Sequence, residues 1–178
     1  CTGLEESLII RNVWAEINLA AISHNVRQLK GLLQPNCVLM AVVKANAYGH
    51  GMIEVAGRVL KEGVNFLGVA RISEAIRLRE GYIDAPVLIF GYTDPKYVDT
   101  LINYDLTQTV YAYEPAKSLS DAAVSLGKKI KVHLKMDTGM GRLGILPCEL
   151  RLPEYSGDIL ESAFREVADA LAVKGTVG

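Results

Sequence analysis

Lys131-Val132-His133-Leu134-Lys135-Met136-Asp137-Thr138-Gly139-Met140-Gly141-Arg142-Leu143-Gly144 is the stretch on which the fold turns. An extended chain sends successive side chains to opposite faces. Val132, Leu134 and Met136 therefore share one face, and Lys131, His133, Lys135 and Asp137 the other. A parallel strand covered by helices on both sides is expected to be apolar throughout. Burying lysines and a histidine costs several kcal/mol unless they are paired or serve a site. A barrel removes the conflict, because the apolar face meets helices while the polar face lines a wet, functional interior. An exposed edge strand is the competing reading. The glycines around Met140 and Arg142 predict a loop that lets Arg142 approach an anion. Gly139, Gly141 and Gly144 also have the G-x-G-x-x-G spacing, but no helix opens at once behind them, and a lone match is weak.

Outward from this stretch, short apolar runs recur at 38–43, 66–69, 87–90, 106–110, 130–135 and 173–177. Helical periodicity fills 19–33, 52–60, 73–80, 95–103, 114–126 and 158–171. In the first of these, Leu19, Ile22, Val26, Leu29 and Leu33 follow steps of three and four. Ser73 with Glu74 opens one helix, Pro115 sits in the first turn of another, and Gly127 closes it. This alternation predicts an α/β protein with a parallel sheet. An open doubly wound sheet and a (β/α)8 barrel both fit, the barrel with six of its strands represented. Residues 13–19 alternate apolar and polar, which predicts an extra edge strand under the fold. Residues 146–157, with two prolines, read as a loop.

A second constellation is Val42-Val43-Lys44-Ala45-Asn46-Ala47-Tyr48-Gly49-His50-Gly51. A buried strand runs straight into a lysine and then into a loop of small residues. The C-terminal ends of parallel strands are where barrels and open sheets place reactive groups. A lysine partly desolvated there would have a lowered pKa, freeing its amine as a Schiff-base nucleophile. Gly49 and Gly51 permit close backbone approach to a ligand. A snorkelling lysine before a flexible turn is the plain alternative.

At 178 residues and 50% hydrophobic, the chain supports one domain with a real core and not two. Nineteen basic residues balance twenty acidic ones, for a net charge of -1, which points away from nucleic acid and from membrane surfaces. No apolar run approaches the roughly 18 residues of a spanning helix, and no leader pattern opens the sequence, so a cytoplasmic protein is expected. Cys1, Cys37 and Cys148 are odd in number and widely spaced, which predicts neither disulfides nor a metal site. Cys37 reads as a small core residue, His24 as solvent-exposed, and Tyr104, Tyr111 and Tyr113 as packing.

Together these stretches resemble one family. Val43-Lys44-Ala45-Asn46-Ala47-Tyr48-Gly49-His50-Gly51 looks like the pyridoxal-phosphate attachment signature of bacterial alanine racemases. Lys135-Met136-Asp137-Thr138-Gly139-Met140-Gly141-Arg142-Leu143-Gly144 resembles the second signature of that family. Trp14-Ala15-Glu16-Ile17-Asn18-Leu19, with Ile22, His24 and Asn25, is similar to its N-terminal segment. The likeness covers 11–145, fades over 146–158 and returns weakly over 171–178.

The resemblance implies a (β/α)8 TIM-type barrel of which about the first six strands are present. Residues 1–178 would be the N-terminal portion of the barrel domain, without the C-terminal β-domain. By the motif match, Lys44 holds pyridoxal 5'-phosphate and acts as one of two bases, and Tyr48 binds the cofactor phosphate. Arg142 binds on the substrate carboxylate side, and Lys135 matches a position often carbamylated, where it orients that arginine. A carbamate would also explain an inward lysine, since it exchanges an ammonium for an anion facing Arg142. The activity implied is interconversion of L- and D-alanine, supplying D-alanine for the cell wall, by a homodimer. The opposite base in the family is a tyrosine of the partner subunit, from beyond the residues represented here. The chain alone is therefore expected not to racemise alanine at a useful rate. A racemase of another small amino acid such as serine, or a non-catalytic cofactor-binding or interaction domain, remains the alternative.

Overall fold

A computed structural model describes residues 13–146. The expected helix at 158–171 and strand at 173–177 lie outside the described residues. Five strands are present among those described: β1 (Met40–Val42), β2 (Phe66–Val69), β3 (Val87–Ile89), β4 (Thr107–Val110) and β5 (Lys131–Leu134). Helix α1 (Leu19–Gly31) precedes β1, and α2 (Lys44–Tyr48) and α3 (Met52–Lys61) follow it. Then α4 (Ile72–Glu80), a 3-10 turn (Pro95–Tyr97) with α5 (Val98–Asn103), and α6 (Tyr113–Ser125) link the later strands. All neighbouring strands are parallel and lie in chain order, β1-β2-β3-β4-β5. A doubly wound sheet reverses its strand order part-way, so this sequential order belongs to the barrel type.

The register assigns every strand residue to a face. Met40 pairs with Phe66, Gly68 with Leu88, Leu88 with Thr107, and Thr109 with His133, so these side chains share one side. Leu67, Val69, Val87 and Ile89 lie on the other side, fully buried in the core with Ala56, Ala75, Leu101 and Leu119 of the helices. The sheet curls away from that helical layer. The rings of Phe66 on β2 and His133 on β5 stand with centroids 5.9 Å apart. Three strand spacings along a flat sheet would separate them by about 14 Å, so their shared face is the concave one. The alternation read in β5 thus holds: Leu134 and Met136 pack toward the core, while Lys131 and His133 belong to the concave face. Close approach on that face requires Gly68, where a Cβ would press into the Phe90 ring.

Three expectations are corrected. Residues 13–18 form no strand, and Val13 and Trp14 are exposed. Asn18 is instead the N-cap of α1, its Oδ1 accepting from the amides of Ala20 (2.9 Å) and Ala21 (3.0 Å). A side chain that caps a helix turns the backbone out of any ladder. Cys37 is exposed rather than in the core, because it lies ahead of β1 where the backbone has not yet begun to pair. His24, expected in solvent, is exposed.

The third correction concerns the segment after β1, expected as a loop of small residues and found as a hydrogen-bonded turn. Ala45, Asn46, Ala47 and Tyr48 have φ of 51°, 56°, 53° and 54°, one left-handed turn without a glycine. This conformation costs an L-residue roughly 1–2 kcal/mol, so the surroundings must hold it. The Ala47 amide donates to Val43 O (2.9 Å), Gly49 to Ala45 O (3.1 Å) and Gly51 to Asn46 O (3.0 Å). Asn46 Oδ1 accepts from the Met52 amide at 3.0 Å, tying the turn to the start of α3. His50 Nδ1 lies 2.8 Å from Ala47 O, which selects the Nδ1–H tautomer. Glycine in a right-handed helix loses about 1 kcal/mol against alanine. Here the sign is expected to reverse: Ala45→Gly, at an exposed position, should stabilise by up to about 1 kcal/mol and raise the urea midpoint. A lowered midpoint would contradict the left-handed assignment.

Candidate active site

Val43, just after β1, makes the last ladder bond, its amide donating to Gly68 O at 2.8 Å. Lys44 follows at once, half-buried, at the C-terminal edge of the sheet. The alternation of Met40 and Val42 ends at Val43, whose ψ of 17° turns the backbone out of the extended region. Lys135 occupies the matching place at the end of β5: its amide donates to Val110 O at 2.8 Å, and the alternation of Lys131 and His133 carries it to the concave side. Both lysines therefore stand beyond the same end of the strands. Tyr48 closes the left-handed turn and is 60% exposed. Arg142 lies in the loop after β5 and is exposed. Among the described residues, no hydrogen bond or ion pair joins these four side chains to one another.

The loop bearing Arg142 is closed at its base and pinned from within. Lys135 O accepts from the Ile145 amide (2.9 Å), and Ile145 O from the Asp137 amide (3.0 Å). Gly144 has φ +139°, and a Cβ there would meet Asp137 N at 2.5 Å, so no side chain fits the base of the loop. Asp137 Oδ1 accepts from the amides of Gly139 (2.9 Å) and Gly141 (3.1 Å). Those two amides, Gly139 first, hold its carboxyl below the ordinary carboxylate range, with the Lys135 ammonium adding to the effect. A depressed carboxyl pKa means the anchor is intact at neutral pH and is lost only as pH falls through the folded value. The glycines expected to let Arg142 approach an anion thus form a shaped loop around Asp137.

Sequence reasoning missed Glu74. Its Oε2 accepts from the amides of Ala70 (2.8 Å) and Arg71 (3.1 Å), at the start of α4. Its Oε1 accepts from the Ala45 amide at 2.7 Å, across to the turn that follows Lys44. Glutamate at the third helical position is a boundary signal, and only that half of its role was legible. At the other end of α4, Arg79 donates to the carbonyls of Tyr104 (2.9 Å), Ile83 (2.6 Å), Ala85 (3.0 Å) and Asp105 (3.3 Å). One helix thus ties the C-terminal edge of the sheet at its start and the N-terminal edge at its end.

The parallel strands in chain order define a barrel-type α/β chain, with Lys44 and Lys135 just beyond the C-terminal ends of β1 and β5. A family profile described as "Alanine racemase, N-terminal domain" matches residues 17–159. The chain belongs to the alanine racemase family. It is 49% identical over 142 residues to an alanine racemase of Clostridium perfringens, a match covering 80% of this chain and 36% of that protein. The solved alanine racemase of Clostridium difficile 630 in complex with cycloserine superposes with a TM-score of 0.75 at 37% identity, covering 92% of this chain and 42% of that one. A histidine racemase from Leuconostoc mesenteroides subsp. sake superposes with a TM-score of 0.72 at 27% identity, over 86% of this chain and 39% of that one. The chain spans about a third of the length of the curated relatives it matches.

Proposed function

We propose that residues 1–178 form the N-terminal portion of the barrel domain of an alanine racemase, a pyridoxal phosphate-dependent isomerase acting in the cytoplasm. The observation that carries the reading is Lys44, a half-buried primary amine set directly after the last ladder bond of β1, at the C-terminal edge of the sheet. The donor set suits an anionic aldehyde cofactor: an amine on a fixed turn, a phenol within the same turn and a guanidinium on a pinned loop. Pyridoxal phosphate, once bound, supplies an electron sink that eases loss of the proton at Cα.

In this reading Lys44 holds the cofactor and carries a proton to or from one face of the substrate's Cα. Tyr48 donates its hydroxyl to the cofactor phosphate. Arg142 pairs with the substrate carboxylate side, where a planar fork suits a carboxylate. Lys135, carbamylated, presents an anion that orients Arg142 and removes one cation from the concave face. A homodimer supplies the opposite base, a tyrosine of the partner subunit. Alanine is the substrate favoured by the relatives' names, with D-alanine for the cell wall as the product; the likeness to a histidine racemase keeps other amino acids in the test.

The test is proton exchange at Cα, read as deuterium uptake from heavy water. The protein is completed with the C-terminal part of an alanine racemase and offered alanine, serine and histidine. Exchange is expected to be fastest with alanine, by at least about tenfold in kcat/KM. Exchange fastest with another amino acid would reassign the substrate, and none with any of them would leave the non-catalytic reading.

A further inference from the structure

We propose that Glu74 is a positioning residue for Lys44, its carboxylate bridging the backbone after β1 to the backbone after β2; the assignment rests on Lys44 being the cofactor lysine. The peptide joining Lys44 to Ala45 is planar. Holding the Ala45 amide at 2.7 Å therefore also orients the Lys44 carbonyl and pins ψ at Lys44. The other carboxylate oxygen is fixed by the amides of Ala70 and Arg71 at 2.8 and 3.1 Å, so Glu74 cannot swing to follow a loosened turn. Bonds from backbone amides to a carboxylate are short and roughly twice as strong as neutral ones. They offset part of the cost of the left-handed residues at 45–48, which begin at the very residue Glu74 grips. The turn is held at its other end by Asn46 and Met52. Glu74 is what attaches it to the neighbouring strand's loop, and so sets where the Lys44 backbone stands relative to β2.

Helix capping and positioning separate by chemistry. A capping box accepts glutamine as well as glutamate. In Glu74→Gln the amide oxygen keeps the bonds at the start of α4, while the amide nitrogen, a donor, meets the Ala45 amide, also a donor. Glu74→Asp is one methylene shorter and cannot reach both loops. Two readouts on the whole chain decide the proposal. The first is the concentration of pyridoxal phosphate needed for a borohydride-trapped adduct on Lys44, located by digestion and mass spectrometry. The second is amide hydrogen exchange in peptides covering 45–51 and 72–80. Glu74→Gln is expected to stay folded, with its unfolding midpoint lowered only by the lost Ala45 bond, and to raise the half-saturating concentration about tenfold. Exchange should accelerate within 45–51 and stay unchanged within 72–80. Wild-type adduct formation with unchanged exchange at 45–51 would overturn the proposal, as would exchange that accelerates equally in both peptides. If glutamine unfolds the chain, Glu74→Asp is read by the same criteria. Should the wild-type chain take no adduct on Lys44, the cofactor reading falls, and exchange at 45–51 still decides whether Glu74 holds the turn.

Discussion

Lys44→Ala is expected to abolish the borohydride-trapped pyridoxal phosphate adduct and, in the completed protein, to lower kcat/KM for alanine by at least about 10³-fold. The size follows from losing two functions at once, covalent attachment and proton transfer, each worth orders of magnitude in rate. Stability should move little, within about 0.5 kcal/mol, because the Lys44 side chain makes no hydrogen bond or ion pair among the described residues. Lys44→Arg is the sharper control. It keeps the positive charge and most of the volume, but a guanidinium stays protonated at any working pH and can neither attach the cofactor nor act as a base. Both variants should therefore be equally inactive, and a small added amine should restore some proton transfer to the alanine variant alone. An adduct that survives in Lys44→Ala and maps to Lys135, the lysine just beyond the end of β5, would transfer the role there.

Arg79→Ala should cost about 3 kcal/mol of stability and lower Tm by about 6–12 °C, with no change in adduct formation at Lys44. The guanidinium spreads its donors over four carbonyls from two loops, those leading into β3 and β4. Burial pushes its pKa down, opposed by Asp105 and Asp84, yet an arginine remains cationic at neutral pH. A neutral isostere would leave the carbonyls to water, and the two loops would lose their common tether. Arg79→Lys should recover less than half of the loss, since a single ammonium cannot fork to both loops. A fall in Tm below about 2 °C for the alanine variant would show that the loops hold themselves.

Much of this was legible in the residues because periodicity reports burial directly. The run 66–69 became β2 with no change of bounds, and the mixed faces of Lys131 to Lys135 pointed to a curled sheet. Where neighbours decide, the sequence was a poorer guide. Val38 looks like strand, but β1 is an edge among the described residues, and its pairing with β2 starts at Met40 opposite Phe66. The alternation at 13–19 satisfied the strand pattern, yet it pairs with no strand among the described residues. The left-handed turn at 45–48 carries no glycine to announce it. The reach of Glu74 to Ala45 spans two loops that only the fold brings together. Lys44, Lys135 and Arg142 stood out from strand-end position, alternation and glycine spacing, whereas Tyr48 and the specific role of each came only through motif likeness.

The bond from Ala45 to Glu74 crosses 29 positions of chain. At about 5–20 residues per second, a ribosome needs roughly 1.5–6 s to add the residues that separate the two. During that interval β1 and the turn after it can be outside the tunnel while their clamp has not yet been made. Closure of the lysine's surroundings is thereby timed by translation: the turn is completed only when the second βα unit arrives to grip it.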